Sequence, residues 1–106
     1  MRRYLSVDRK DKSSMTKKVT IRLNSIDSGV HIIDLNSRSD CETVFTQEKF
    51  VVNGVSILGL FSLCLIADID VLITGEEKDI DDLVREYKEN GIVVKSETED
   101  RAAAKN

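Results

Sequence analysis

The stretch Val52-Asn53-Gly54-Val55-Ser56-Ile57-Leu58-Gly59-Leu60-Phe61-Ser62-Leu63-Cys64 is the most apolar part of the chain, and polar residues and glycines punctuate it. Asn53-Gly54 marks a turn after a strand, and Ser56 suits the N-cap of a helix. Ile57, Leu58, Leu60, Phe61 and Cys64 then follow at helical spacing, which predicts a two-turn helix starting at Ser56. One face of so short a helix cannot bury Ile57, Leu58, Leu60, Phe61, Leu63 and Leu65 together. Some of them are expected to stay exposed.

Elsewhere the hydrophobic period changes along the chain. Residues 17–24 alternate, with Val19, Ile21 and Leu23 on one face and Thr20, Arg22 and Asn24 on the other, as in a half-buried strand. A helix over 25–37 follows, capped by Asn24 or Ser25, with Asp27 complementing the dipole in its first turn. Ile26, Val30 and Ile33 at i, i+4 and i+7 are expected to form its buried stripe, and Asn36-Ser37 to loosen its end. Residues 42–46 and 49–52, rich in Val, Phe and Thr, read as a hairpin. The run I-D-V-L-I-T-G over 69–75 reads as a strand central to the sheet. Over 76–90, Ile80, Leu83, Val84 and Tyr87 give the clearest helix, which Asn90-Gly91 stops with Ile92 as the accompanying hydrophobic contact.

With 106 residues, 41% of them hydrophobic and 33% charged, the chain has the length and composition of one soluble domain. No apolar run approaches the roughly 20 residues that a membrane helix requires, and the N-terminus lacks the apolar core of a signal peptide. A cytoplasmic protein is expected. Cys41 and Cys64 lie on different elements without C-x-x-C spacing, so they are expected to be two reduced, mostly buried thiols. Neither cofactor nor metal is indicated.

Charge is uneven. Seven cationic side chains (Arg2, Arg3, Arg9, Lys10, Lys12, Lys17 and Lys18) against Asp8 and Asp11 make residues 1–18 about +5, leaving about −8 for the remainder of a net −3. Residues 1–16 read as a disordered basic tail, 17–94 as the domain and 95–106 as a polar C-terminal tail. A nucleic-acid-binding α/β domain led by the arm is the alternative from composition. Only Tyr4 accompanies the arm's charges, and the folded part is acidic.

V-N-G-V-S-I-L-G-L-F-S-L resembles the stretch around the regulatory serine of HPr, the histidine-containing phosphocarrier of the bacterial sugar phosphotransferase system, which typically reads V-N-A-K-S-I-M-G-I-M-S-L. The similarity extends more weakly from about Lys17 to about Asn90. It implies an α+β open-faced sandwich, a four-stranded antiparallel sheet with helices on one face. Periodicity alone leaves a ferredoxin-like arrangement open.

The family's catalytic G-[LI]-H-[AT]-R-P motif is not recognisable here, and the chain has no proline. His31, the only histidine, follows Gly29-Val30 but stands eleven residues before Glu42. The family's histidine stands roughly seventeen before its second strand, room for three helical turns. Ile32 and Ile33 replace the small residue and arginine that would follow it. A gap-free reading back from Ser56 puts Ser25 at the histidine's place. An active phosphocarrier using His31 is therefore the alternative reading, and loss of histidine phosphotransfer the main one.

By resemblance Ser56 matches the serine that a dedicated kinase phosphorylates, although Val55 stands where the family has a basic residue. A phosphate of about −1.5 to −2 charge is well placed at a helix N-terminus and alters any surface formed by its neighbours. Ile57, Leu58 and Phe61 match the positions through which HPr docks on its partners. The resemblance thus implies a non-enzymatic regulatory or scaffold protein, binding a protein partner of the phosphotransferase or carbon-regulation type through the Ser56 helix.

Overall fold

The computed structural model describes residues 14–99. They form an α+β fold, an open and wholly antiparallel sheet with three helices. The strands are β1 (Ser14–Arg22), β2 (Glu42–Gln47), β3 (Phe50–Asn53), β4 (Ile69–Glu76) and β5 (Val93–Glu99). The helices are α1 (Ile26–Arg38), α2 (Ile57–Phe61) and α3 (Glu77–Glu89). Strand order across the sheet is β3-β2-β4-β1-β5, which puts β4 in the middle as its β-branched run predicts.

The alternation of residues 17–24 appears directly in the register. Val19 pairs with Val71 and Ile21 with Ile69, while Phe45 pairs with Val71 on the other side of β4 and with Val52 beyond. This transverse row meets Ile32 and Leu35 of α1, Leu60 of α2, and Ile80, Leu83, Val84 and Tyr87 of α3 in one core. The opposite face carries threonines and charges that satisfy one another: Thr16 bonds Thr74 at 3.0 Å, and the Thr20 hydroxyl donates to Asp70 at 2.6 Å.

The sheet has five strands rather than four. Residues 93–99 pair with β1, whose outer edge would otherwise present unpaired N–H and C=O groups. The polar sequence of β5 gives no burial signal because an edge strand has little to bury. Only Val94 packs on the core, and Glu97 is held by Lys88 of α3 at 2.9 Å and Lys17 of β1 at 3.5 Å. The Lys88 ammonium beside it holds the Glu97 carboxyl below the usual range. The folded unit accordingly exceeds the 17–94 expectation at both ends. The basic arm of residues 1–13 and the terminal residues 100–106 lie outside the described residues.

A second correction concerns α1. Its buried face is Ser28, Gly29, Ile32, Leu35 and Asn36, whereas Ile26 and Val30 are exposed and Ile33 is only half-buried. Two small residues let this side approach its neighbours closely. An added Cβ at Gly29 would lie 2.9 Å from the Phe61 ring, so the helix is turned to seat α2 there. The bounds of the helix, Ile26–Arg38, lie within one residue of the expected 25–37 at either end.

The end of α3 follows the sequence closely. Gly91 has φ +83°, its N–H donates to Lys88 O at 3.2 Å, and Ile92 N–H donates to Tyr87 O at 3.0 Å. This is the Schellman pattern, with Ile92 buried behind it. Because nothing lies within 4 Å of an added Cβ, Gly91→Ala should cost only the left-handed backbone penalty, about 1–2 kcal/mol. Urea unfolding tests this. No measurable change would mean that the cap is not left-handed in solution.

Candidate functional site

The chain leaves β3 through a tight polar turn. Asn53 accepts from Val55 N–H through Oδ1 at 2.8 Å and from Ser56 N–H through its carbonyl at 3.1 Å. Gly54 N–H donates to Thr43 O at 2.9 Å, so the backbone crosses β2 at close range. Ser56 is extended, with φ −101° and ψ 112°, and its Oγ accepts from Gly59 N–H at 3.0 Å. It is the N-cap of α2. The helix is shorter than the expected two turns, because Ser62 closes it by donating its hydroxyl to Gly59 O at 2.6 Å.

The side chains of α2 divide into two sets. Leu60 is wholly buried, and Gly59 lies against Val52 of β3. Ile57, Leu58 and Phe61 remain 38%, 82% and 37% exposed. Phe61 rests against Gly29, and Ile26 and Val30 lie three residues before and one after that glycine on α1. Both helices thus carry exposed apolar side chains, and Ile26 and Val30, expected inside α1, are on its outside.

Two carboxamides hold the main chain on either side of α2. Asn36, buried in α1, donates through Nδ2 to Gly54 O at 2.7 Å and accepts from the Tyr87 hydroxyl of α3. Burial pushes the Tyr87 phenol up, which keeps it the donor of that bond. Gln47, at the end of β2, accepts from Cys64 N–H at 2.8 Å and donates to Cys64 O at 2.8 Å and to Asp68 O at 3.2 Å. Sequence reading assigned Asn36 to a loosening helix end and Tyr87 only to an apolar stripe. No signal in the sequence marks this pair, because the face of α1 that carries Asn36 is known to be buried, and its amide therefore to need partners, only once the fold is assembled.

His31 is exposed on the second turn of α1, about 7.5 Å along the axis from Ile26. Ser25, the gap-free counterpart of the carrier histidine, is the N-cap of α1, its Oγ accepting from Ser28 N–H at 3.2 Å. Both cysteines are free thiols, but they differ from the expectation of burial: Cys41 is half-buried and Cys64 exposed. Burial, with Asp79, Asp40 and Asp82 around it, pushes the Cys41 thiol up to about 12, which favours the protonated thiol over the nucleophilic thiolate at neutral pH. Cys64 is outside because Gln47 fixes its backbone at the rim of an open depression of about 570 Å³ lined also by Phe50, Asp68 and Asp70.

Among the described residues no three or more His, Cys, Asp or Glu side chains are grouped as a metal site would require. No helix among them is long and apolar enough to cross a membrane. No family model, curated protein or solved structure matches this chain.

Proposed function

We propose that the protein is an HPr-like regulatory or scaffold module of the cytoplasm. It binds a protein partner of the phosphotransferase or carbon-regulation type through α2 and does not pass a phosphoryl group through histidine. The observation that carries this reading is the arrangement at Ser56, a serine hydroxyl at the start of a short helix beside the exposed Ile57, Leu58 and Phe61. The order strand, helix, strand, strand, short helix, strand, helix agrees with what the sequence resemblance implies, β5 being an addition. Phosphorylation would place about −1.5 to −2 charge at the edge of the apolar surface, changing which partners it accepts. His31 has neither the helix N-terminus nor the arginine that would steady a phosphate, and it has no role in this reading.

Ser56→Ala and Ser56→Asp separate the cap from the docking surface. Alanine should lower stability by about 1 kcal/mol and leave the apolar surface intact, whereas aspartate keeps a capping oxygen and adds charge. Aspartate should therefore hold the melting temperature near wild type and weaken binding to an apolar or acidic partner; an arginine-rich partner should instead prefer it. Incubation with an HPr kinase and mass spectrometry give the stricter readout, a single phosphate on Ser56. With the system's first enzyme and phosphoenolpyruvate, wild type and His31→Ala should both stay at background. Acid-labile phosphate on wild type alone would make His31 a carrier and overturn this function.

A further inference from the structure

The segment that carries α2 has little to hold it in its own sequence. A five-residue helix is far below the length that is stable alone, and in residues 54–64 only Gly54, Leu60 and Leu63 are buried. Both ends are instead fixed by side chains from elsewhere. At the near end Asn36 holds Gly54 O at 2.7 Å and is itself oriented by Tyr87. At the far end Gln47 makes a two-way pair with Cys64, donating to its carbonyl and accepting from its N–H, both at 2.8 Å, and also reaches Asp68 O. A carboxamide that presents a donor and an acceptor to one residue's backbone imitates a strand-to-strand pair where no strand exists. Within residues 54–64 the hydrogen bonds of both amides go to main-chain atoms, so they act on where α2 sits.

We propose that Asn36, supported by Tyr87, and Gln47 are positioning residues that clamp the two ends of residues 54–64 and hold α2 as a preorganised docking element. Its functional half rests on the reading of the Ser56 surface as a docking site. The clamps lie on α1 and β2, and Tyr87 lies on α3, so three elements of the scaffold fix one turn of helix. A partner then meets ordered Ile57, Leu58 and Phe61 side chains, and less conformational entropy is lost on binding. The rotation of α1 serves the same arrangement, since it brings Asn36 inward and seats Phe61 on Gly29.

Amide hydrogen exchange by NMR on the full chain tests the clamps without a partner. Gln47→Met keeps the length of the side chain at a surface position and removes both bonding functions; Tyr87→Phe removes a single hydroxyl. In Gln47→Met the amides of residues 60–64 should exchange roughly tenfold faster while those of Val19 and Val71 are unchanged. In Tyr87→Phe the amides of Ser56, Gly59 and Leu60 should accelerate by a larger factor than those of Val19 and Val71. A common factor at all sites, or no acceleration in 54–64, would overturn the clamp, because a merely structural bond lowers global stability uniformly. Phosphorylation by a purified HPr kinase tests preorganisation: kcat/KM should fall in both variants at unchanged circular dichroism. Equal kcat/KM in all three proteins, with exchange accelerated, would overturn that half. If the kinase leaves the wild type unmodified, the docking reading has failed and the exchange result alone decides the clamp.

Discussion

Leu83→Ala should lower the free energy of unfolding by about 2–5 kcal/mol, a large part of the stability of a domain this size. Leu83 is 1% exposed and stands in the middle of α3, between Ile80 one turn before and Tyr87 one turn after. Its neighbours in the core include the β-branched face of β1 and β4, Val19, Ile21, Val71 and Ile73. Such a packed, two-sided environment relaxes little, so the lost methyl and methylene groups leave a cavity rather than a collapse. Urea unfolding followed by circular dichroism measures the loss. A change within about 0.5 kcal/mol, the range of ordinary surface substitutions, would show that α3 does not pack through this residue.

Gly54→Ala should be nearly as costly, about 3 kcal/mol or more, for the opposite reason. A Cβ at Gly54 would lie 2.1 Å from Thr43 Oγ1 and 2.6 Å from the Thr43 carbonyl carbon. The second atom is main chain of β2, paired on its other side with Ile73 of β4, and cannot move without disturbing the middle of the sheet. Any retreat of residue 54 also pulls on Asn36, whose amide holds the Gly54 carbonyl. The combination Gly54→Ala with Thr43→Ala discriminates the cause: it removes Oγ1 but keeps the backbone clash, so only a small part of the loss should return. Gly91→Ala is the internal comparison, a glycine with open space around it whose cost is conformational alone. If Gly54→Ala unfolds at the same urea concentration as wild type, the loop before α2 does not approach β2 as closely as described.

Much of this architecture is local and was legible in the sequence. Alternation at Val19, Ile21 and Leu23 and the β-branched run of β4 define strands with one buried face, and the stripe of Ile80, Leu83, Val84 and Tyr87 defines the buried side of α3. The caps at Ser25, Ser56 and Gly91 are equally legible, because each satisfies backbone groups within a few residues of itself. The expectation that Ile26, Val30 and Ile33 form the buried stripe of α1 failed where two local answers compete. In α1, Ile26, Val30 and Ile33 offer one apolar stripe and Ile32 with Leu35 another; periodicity cannot rank them. The choice fell to the side carrying Ser28, Gly29 and Asn36, because close approach to α2 and a partner for a buried amide exist only in the assembled fold.

The same reasoning separates the parts of the candidate site. Ser56 and the apolar excess of residues 57–61 are visible as a cap followed by more large side chains than one turn can bury. Gln47 and Asn36 are not, since a glutamine beside a hairpin turn and a helix-end asparagine are ordinary in any sequence and gain meaning from backbone groups distant in the chain. β5 was hidden for a related reason: pairing to β1 satisfies main-chain hydrogen bonds, which every residue carries, and leaves almost no hydrophobic pattern behind. Side-chain pattern along one segment therefore determined which faces are apolar and where elements start and stop. Tertiary structure decided which of two apolar faces is buried, which backbone groups are paired across the fold, and which side chains hold α2 at the surface, because each of those depends on atoms that become neighbours only after the chain has packed.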